Sequence, residues 1–448
     1  MSGGEEIKSR KLAYYGRFNW DYKDKYFVQA SLRADAADLS QLPQSGRWGY
    51  FPAVSLGWTV SNENFMQSID AISHLKLRAS WGQNGSTAGL SNYAWQSAIA
   101  SGSVYPFIAD QMTYITGKMP STAGNENLKW ETSEQLDLGF DIRFLQNKLT
   151  FSYDWYNKTT KDLILTNIRP SYIMGITASP FNAGKVSNIG HEFELSWRDR
   201  IGKDFNYSIS GNFTTLKNEV KEITSTLTYI EGASQDSNTV TWFEQGYPMW
   251  HFKTYHFIGV DGSGNPMFED VNGNGQFDAN DKIDAGSGIP TYSYGITLTA
   301  KYKNFDLTVF GSGQGGNKIL QTVTRAFALQ SNVPAYLLED AWTPNNTNTN
   351  VPKVGMDNVG YYYVSDAQIY KGDYFKLKQL QLGYTLPSKW TRAFNGNVRV
   401  YGSIENLFTI TNYPGFDPEI MSSGSSIGID SGRYPNNRNF IIGANISF

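Results

Sequence analysis

The chain has 448 residues, 38 Lys and Arg against 41 Asp and Glu, 12 Trp, 28 Tyr, 26 Phe and no cysteine. A formal net charge of −3 gives no electrostatic reason to expect a nucleic acid partner, and the absence of cysteine excludes a disulfide scaffold and a thiolate metal site. No run of about 18 apolar residues exists, which excludes helical membrane spans.

That exclusion does not reach strands, because a barrel strand turns only every second side chain to lipid and keeps the mean hydropathy of a soluble protein. Taken from the start, Met1–Arg10 lacks the basic and apolar regions of a signal peptide, so an exported chain is expected to be missing its front end. Strict period-two alternation then begins and recurs. Leu12, Tyr14, Phe18, Trp20 and Tyr22 share one face, with Arg17, Asn19 and Asp21 on the other. Tyr26, Val28, Ala30 and Leu32 oppose Gln29, Ser31, Arg33 and Asp35; Leu75, Leu77, Ala79 and Trp81 oppose Lys76, Arg78 and Ser80. Leu136, Leu138, Phe140, Ile142 and Phe144 oppose Gln135, Asp137, Asp141 and Arg143. The pattern continues through Leu149–Trp155, Phe193–Trp197, Phe205–Phe213, Tyr292–Tyr302 and Phe305–Val309, and it finishes at Phe440, Ile442, Ala444, Ile446 and Phe448. In Phe375–Tyr384 the apolar phase slips near Lys378 and Gln379, which predicts a bulge.

These runs are about ten to twelve residues long, the length that crosses a bilayer at a tilt of about 45°. Their second face carries charges that a dry sandwich core would reject and a wet lumen accepts. Short links (Lys23–Lys25, Gln146–Lys148, Arg200–Asp204, Lys303–Asn304, Pro387–Asn397, and Ser61–Ser73 of middle length) alternate with long polar ones. The long links are Ala36–Trp48, Gln83–Lys129, Leu163–Asn182, Lys221–Ile289, Gly311–Asp373 and Ile410–Asn437, with Met249–Asp261 counted inside an outer loop. Short periplasmic turns and long outer loops are the pattern of outer-membrane barrels. The predicted fold is an all-β, antiparallel transmembrane β-barrel of about 13 strands whose last strand ends at the periplasm. An odd count and open edges within lipid predict that the chain is part of a larger barrel.

One segment suggests a metal. Residues 270–281 have the spacing of a 12-residue calcium loop, with oxygens from Asp270, Asn272 and Asn274 at positions 1, 3 and 5. The Gln276 carbonyl stands at position 7, Asp278 at 9 and Asp281 at 12, with Gly275 at the tight turn. Calcium is therefore the predicted cofactor, weakly bound because two early ligands are neutral Asn; the alternative is a polar turn held by side-chain-to-backbone hydrogen bonds. Strand parity places this loop, within 221–289, outside the cell. The four histidines (His74, His191, His251, His256) show no metal spacing, and Gly311–Gly316 reads as a loop tip rather than a phosphate loop. Trp342 and Tyr361–Tyr363 could stack on sugars, cover a partner or pack the loop. No nucleophile–base grouping stands out, so no catalytic residue is predicted.

Several segments in order resemble the SusC/RagA-type TonB-linked outer-membrane transporters. They are Arg47–Trp58, Leu75–Asn84, Asn125–Thr132, Asn182–Asn188, Asp270–Gly275, Gly372–Lys378, Ser403–Phe408 and Tyr434–Arg438, the last leading into a strand that ends in Phe448. The resemblance covers nearly all of residues 1–448 and implies the C-terminal part of a TonB-dependent receptor barrel. It implies a 22-stranded parent, of which these would be the final strands, with the family's signal peptide, regulatory domain, TonB box and plug absent. It further implies import of oligosaccharides or peptides beneath a SusD-like surface lipoprotein, with TonB engaged only through the missing N-terminal part. A truncated remnant that transports nothing and a passive porin are the competing readings.

Overall fold

The computed structural model describes residues 9–107, 113–166, 176–224, 227–323, 335–354, 360–392, 396–420 and 422–447. Its main element is one 13-stranded sheet. The strands are β1 (Leu12–Tyr22), β2 (Tyr26–Ala36), β3 (Trp48–Thr59), β4 (Ile72–Ser86), β5 (Glu131–Phe144), β6 (Leu149–Lys161) and β7 (Lys185–Ile201). They continue as β8 (Phe205–Glu222), β9 (Tyr292–Tyr302), β10 (Phe305–Gly315), β11 (Tyr374–Thr385), β12 (Asn397–Thr411) and β13 (Asn439–Ser447). Each strand pairs antiparallel with its predecessor and successor, so the sheet is an up-and-down meander. Among the described residues β1 pairs only with β2 and β13 only with β12. Phe448, expected to end the last strand, lies outside the described residues.

Hairpin turns close one end of the sheet. Lys23 and Asp24, Gln146 and Asn147, and Lys303 all take positive φ, the left-handed backbone that tight turns demand. The opposite end carries every long connection, and strands folded from those connections form small separate sheets such as the one that pairs His251–Tyr255 with Lys282–Gly286. The expected alternation of short and long links therefore holds along the whole chain, with Met249–Asp261 inside an outer connection. Strand length departs from expectation. β7 has 17 residues and β8 has 18, because both ladders run on past the apolar band toward the long connections.

Two faces follow from the register. Phe140, Tyr153, Phe193, Phe213 and Tyr294 lie side by side on one face of β5–β9, while Asp141, Asp154, Glu192 and Asn212 lie on the other. Neither Phe140, Leu298 nor Ile442 belongs to a buried cluster, and Ile442 is 94% exposed. The buried apolar clusters lie instead around the long connections: Val240, Phe252, Tyr255, Leu320, Val364 and Ile429 in one, Ala37, Leu42, Leu90 and Leu128 in another. A sheet with an unburied apolar face and no core against it requires an apolar solvent.

Two local features test the sequence reading. The predicted slip at Lys378 is a bulge: Leu377 faces Gly311 and Phe408, whereas Gln379 faces Phe310 and Glu405. Gly311–Gly316 reads as a loop tip, but all of it except Gly316 belongs to β10. A Cβ at Gly311 would stand 2.5 Å from the Phe375 ring and one at Gly313 would stand 2.6 Å from the Tyr294 hydroxyl. Bare backbone lets neighbouring aromatics lie across the strand there.

Candidate functional site

The polar face of β4–β6 is a connected charge network. Arg78 donates through Nε to Asp141 at 2.8 Å and through Nη2 to Asp141 at 3.1 Å and Asp154 at 2.9 Å. Ser152 Oγ also donates to Asp141 at 2.9 Å, while Gln135 and Ser80 donate to Asp137. Gly139 makes the cluster possible, since a Cβ there would meet an Asp154 oxygen at 2.1 Å. Arg399 and Asp306 form a second pair across β10–β12. A recess of about 380 Å³ on this face is lined by Asn19, Asp21, Gln29, Lys76, Arg78, Asp137 and Asp154, among others. These groups can bind a polar solute through hydrogen bonds and charge.

At the long-connection end the loops fold onto one another. Lys318–Gln321 pairs antiparallel with Ile369–Lys371 and parallel with Ile429–Asp430, joining connections far apart in sequence. The connection before β13 is held to the wall by Lys376, whose Nζ lies 3.0 Å from both Asp417 oxygens and 2.8 Å from Glu419. Lys378 adds a 2.6 Å bond to Glu419, and Asn436 reaches both acids. The Lys376 side chain is 1% exposed. Burial pushes the Asp417 and Glu419 carboxyls up, but hydrogen bonds from Lys376, joined at Asp417 by the Glu419 N–H and at Glu419 by Lys378, hold both below the usual range.

The calcium-like segment adopts a tightly wound turn. Asp270 accepts from the N–H groups of Gly273, Asn274 and Gly275; Asn272 and Asn274 accept from Asn274 and Gln276. Asp281 is fully buried and takes the N–H groups of Val271, Asn272 and Asp278, while Asp278 caps the short helix Ala279–Asp281. Gln276 is exposed, and Gly275 sits at φ +78. Side-chain-to-backbone bonding of this kind is shared by calcium loops and by plain Asx-rich turns, and no three Asp, Glu or His side chains converge on one point among the described residues.

The histidines are separated. His74 lies on β4, and His191 on β7, where its Nδ1 is 3.0 Å from the Tyr153 hydroxyl. His251 is fully buried, stacked 4.4 Å from Tyr247, with Nδ1 2.7 Å from Asp284 and Nε2 facing Glu244 at 3.6 Å. His256 pairs with Asp366. Tyr362 and Tyr363 are buried, Trp342 is 8% exposed, and Tyr361 meets Tyr255, Phe268 and Phe277 edge-on. Tyr362 and Tyr363 pack the loops, while Tyr361 keeps an exposed edge. The Lys376 latch escaped the sequence reading, because its acids stand more than forty residues away.

A 13-stranded meander with a charged face, a lipid-compatible face and long loops at one end defines an outer-membrane type of β-barrel. The TonB-dependent receptor-like β-barrel family matches residues 3–407, and the chain belongs to that family. It is 32% identical over 465 aligned residues to TonB-dependent receptor P3 of Formosa agariphila, covering 98% of this chain and 45% of that protein. It is 30% identical to TonB-dependent receptor SusC of Bacteroides thetaiotaomicron, covering 98% of this chain and 44% of that protein. Among solved structures, the RagAB peptide transporter aligns with a TM-score of 0.81 and 27% identity, over 98% of this chain and 48% of that one. The chain thus spans less than half the length of these relatives.

Proposed function

We propose that the chain forms the C-terminal barrel wall of a TonB-dependent importer of oligosaccharides or peptides in the outer membrane. The observation that carries this reading is the pairing of an unburied apolar face with a charged face centred on Arg78, Asp141 and Asp154. Only a wall between lipid and a polar passage uses both. The end bearing the long connections faces the cell exterior, where the folded loops would receive a SusD-like lipoprotein lid; TonB would act through the N-terminal part of the longer protein. The test uses that longer protein in cells. A cysteine at Asn274 reacts with a membrane-impermeant maleimide on intact cells, and deleting the gene abolishes growth on one or more members of an oligosaccharide and peptide panel. Labelling only after permeabilisation would refute the orientation, and unchanged growth on every member would refute import.

We further propose that the turn of residues 270–281 takes calcium, with side-chain oxygens of Asp270, Asn272, Asn274, Asp278 and Asp281 and the Gln276 carbonyl as donors. The all-oxygen donor set suits a hard cation. Each carboxylate bonded to backbone N–H groups keeps further lone pairs for a metal. Millimolar calcium is expected to slow amide exchange in residues 270–281 of the wild type and not of Asp270→Ala; equal exchange with and without calcium contradicts the assignment.

A further inference from the structure

The lipid-facing side of β5–β8 changes character in steps toward the long-connection end. One row across β6, β7, β8 and β9 reads Tyr153, Phe193, Phe213, Tyr294, and the next reads Trp155, His191, Thr215, Tyr292. Above it come Leu136, Asn157, Ile189 and Lys217, then Glu134, Thr159, Ser187 and Glu219. The last row holds Lys161 directly opposite Lys185, with Lys221 on the same face of β8 beside the Lys185 bulge. Four lysines therefore crown this sector against three glutamates, Glu134, Glu219 and, opposite Lys185, Glu222. Lys217 and Lys221 share Glu219 at 3.1 and 2.7 Å, Lys161 takes Glu134 at 2.7 Å, and the nearby Asp162 is engaged by Lys129. Glu222 is the register partner of Lys185 across the bulge. The Lys217 side chain is 76% exposed.

The rows from Ile201 up to Ile189, mainly apolar between Asp199 near the lower rim and Lys217 in the top row, span about 28 Å at about 3.3 Å per residue and a 45° tilt, close to the height of a barrel's lipid band. The row of Lys161, Lys185 and Lys221 stands about 9 Å above that band by the same measure, at headgroup depth. Three lysines on neighbouring strands about 4.8 Å apart suit one phosphate group, and the acyl chains of the same molecule would lie on the aromatic rows beneath. We propose that Lys161, Lys185, Lys217 and Lys221 form a seat for the phosphorylated headgroup of an outer-leaflet lipid. The assignment rests on the orientation proposed above.

The test uses the longer natural transporter in detergent, titrated with phosphorylated lipid A, with the same lipid after enzymatic dephosphorylation, and with inorganic phosphate as competitor. Replacing all four lysines by glutamine should weaken binding of phosphorylated lipid at least fivefold, whereas replacing them by arginine should keep it within twofold. The dephosphorylated lipid should bind wild type as poorly as the glutamine variant binds the phosphorylated one, and equimolar inorganic phosphate should not compete. Both variants are first checked for the heat-modifiable gel shift of a folded barrel, and the arginine variant serves alone if the glutamine variant fails it: loss of lipid binding in that folded variant overturns the proposal. Equal binding of the two lipids, undiminished binding by a folded glutamine variant, or full competition by inorganic phosphate also overturns it. If the Asn274 cysteine labels from outside and the lysine variants still show no effect, the lipid seat falls and the importer stands.

Discussion

His256 sits where two outer connections meet, with Nδ1 2.6 Å from one Asp366 oxygen while the other oxygen takes the Phe257 N–H at 2.9 Å. The Asp366 hydrogen bond raises the imidazole above its ordinary value, outweighing burial. A raised value means the contact stabilises fully below about pH 6.5 and fades as pH climbs through the higher folded value. The ring is 42% exposed, so solvent screening limits the effect to about 1 kcal/mol or less. Amide exchange in residues 257–268, corrected for intrinsic rates, should therefore speed up severalfold between pH 6 and 9 in wild type and stay flat in His256→Gln. Lys376 has larger stakes, because its loss leaves Asp417 without a cation and Glu419 with Lys378 alone beside a buried site. Lys376→Met should cost about 3 kcal/mol and expose residues 412–438 to protease, read by limited proteolysis of the folded protein. At this scale the sequence was only partly legible. Lys376, Asn182 and Asn436 stand in the family-like segments, but only the fold shows that Lys376 ties a loop to a strand and that Asn182 and Asn436 tie connecting segments to one another. Tyr361–Tyr363 are visible as a cluster, yet the burial of Tyr362 and Tyr363 and the ring contacts of half-exposed Tyr361 depend on Phe257, Phe268 and Phe277 from another connection.

Strands were the most legible elements, because lipid on one side and polar groups on the other impose a period of two that no neighbouring element can alter. The alternation predicts β9 over Tyr292–Tyr302, and the strand forms over those residues. The ends of β7 and β8 are not marked by the sequence, because above the apolar band the lipid-side face turns polar while Val186 and Val220 on the other face are buried under the loops, so the phase of the alternation inverts. The bulge at Lys378 showed itself as a phase slip, whereas the end of β10 did not, since the aromatics that cover Gly311 and Gly313 come from other strands. The two faces predict opposite tolerance. Leu298→Arg, near the middle of the lipid face of β9, should lower folding stability by about 2–4 kcal/mol. Thr297→Arg, one residue away on the polar face, should change it by less than about 0.5 kcal/mol. Urea unfolding in phospholipid vesicles measures both, and equal costs would contradict the assignment of faces.

Over the whole molecule, the number and order of strands could be read from the alternation of short and long links, which needs no knowledge of distant contacts. The folding of the outer connections onto one another could not. Thr241 Oγ1 donates to the Ser425 carbonyl at 2.6 Å across 184 residues, and Lys318–Gln321 adds strands from both sides. Such contacts leave no local period. The account as a whole depends on one sheet dividing acyl chains from a hydrophilic passage. Its most direct test places single spin labels in turn from Ser293 to Lys301 along β9 of the membrane-inserted protein and measures relaxation by oxygen and by a water-soluble nickel chelate. The account predicts oxygen maxima at Tyr294, Ile296, Leu298 and Ala300, with nickel maxima at the positions between. A uniform profile, or maxima of the opposite phase, would contradict it.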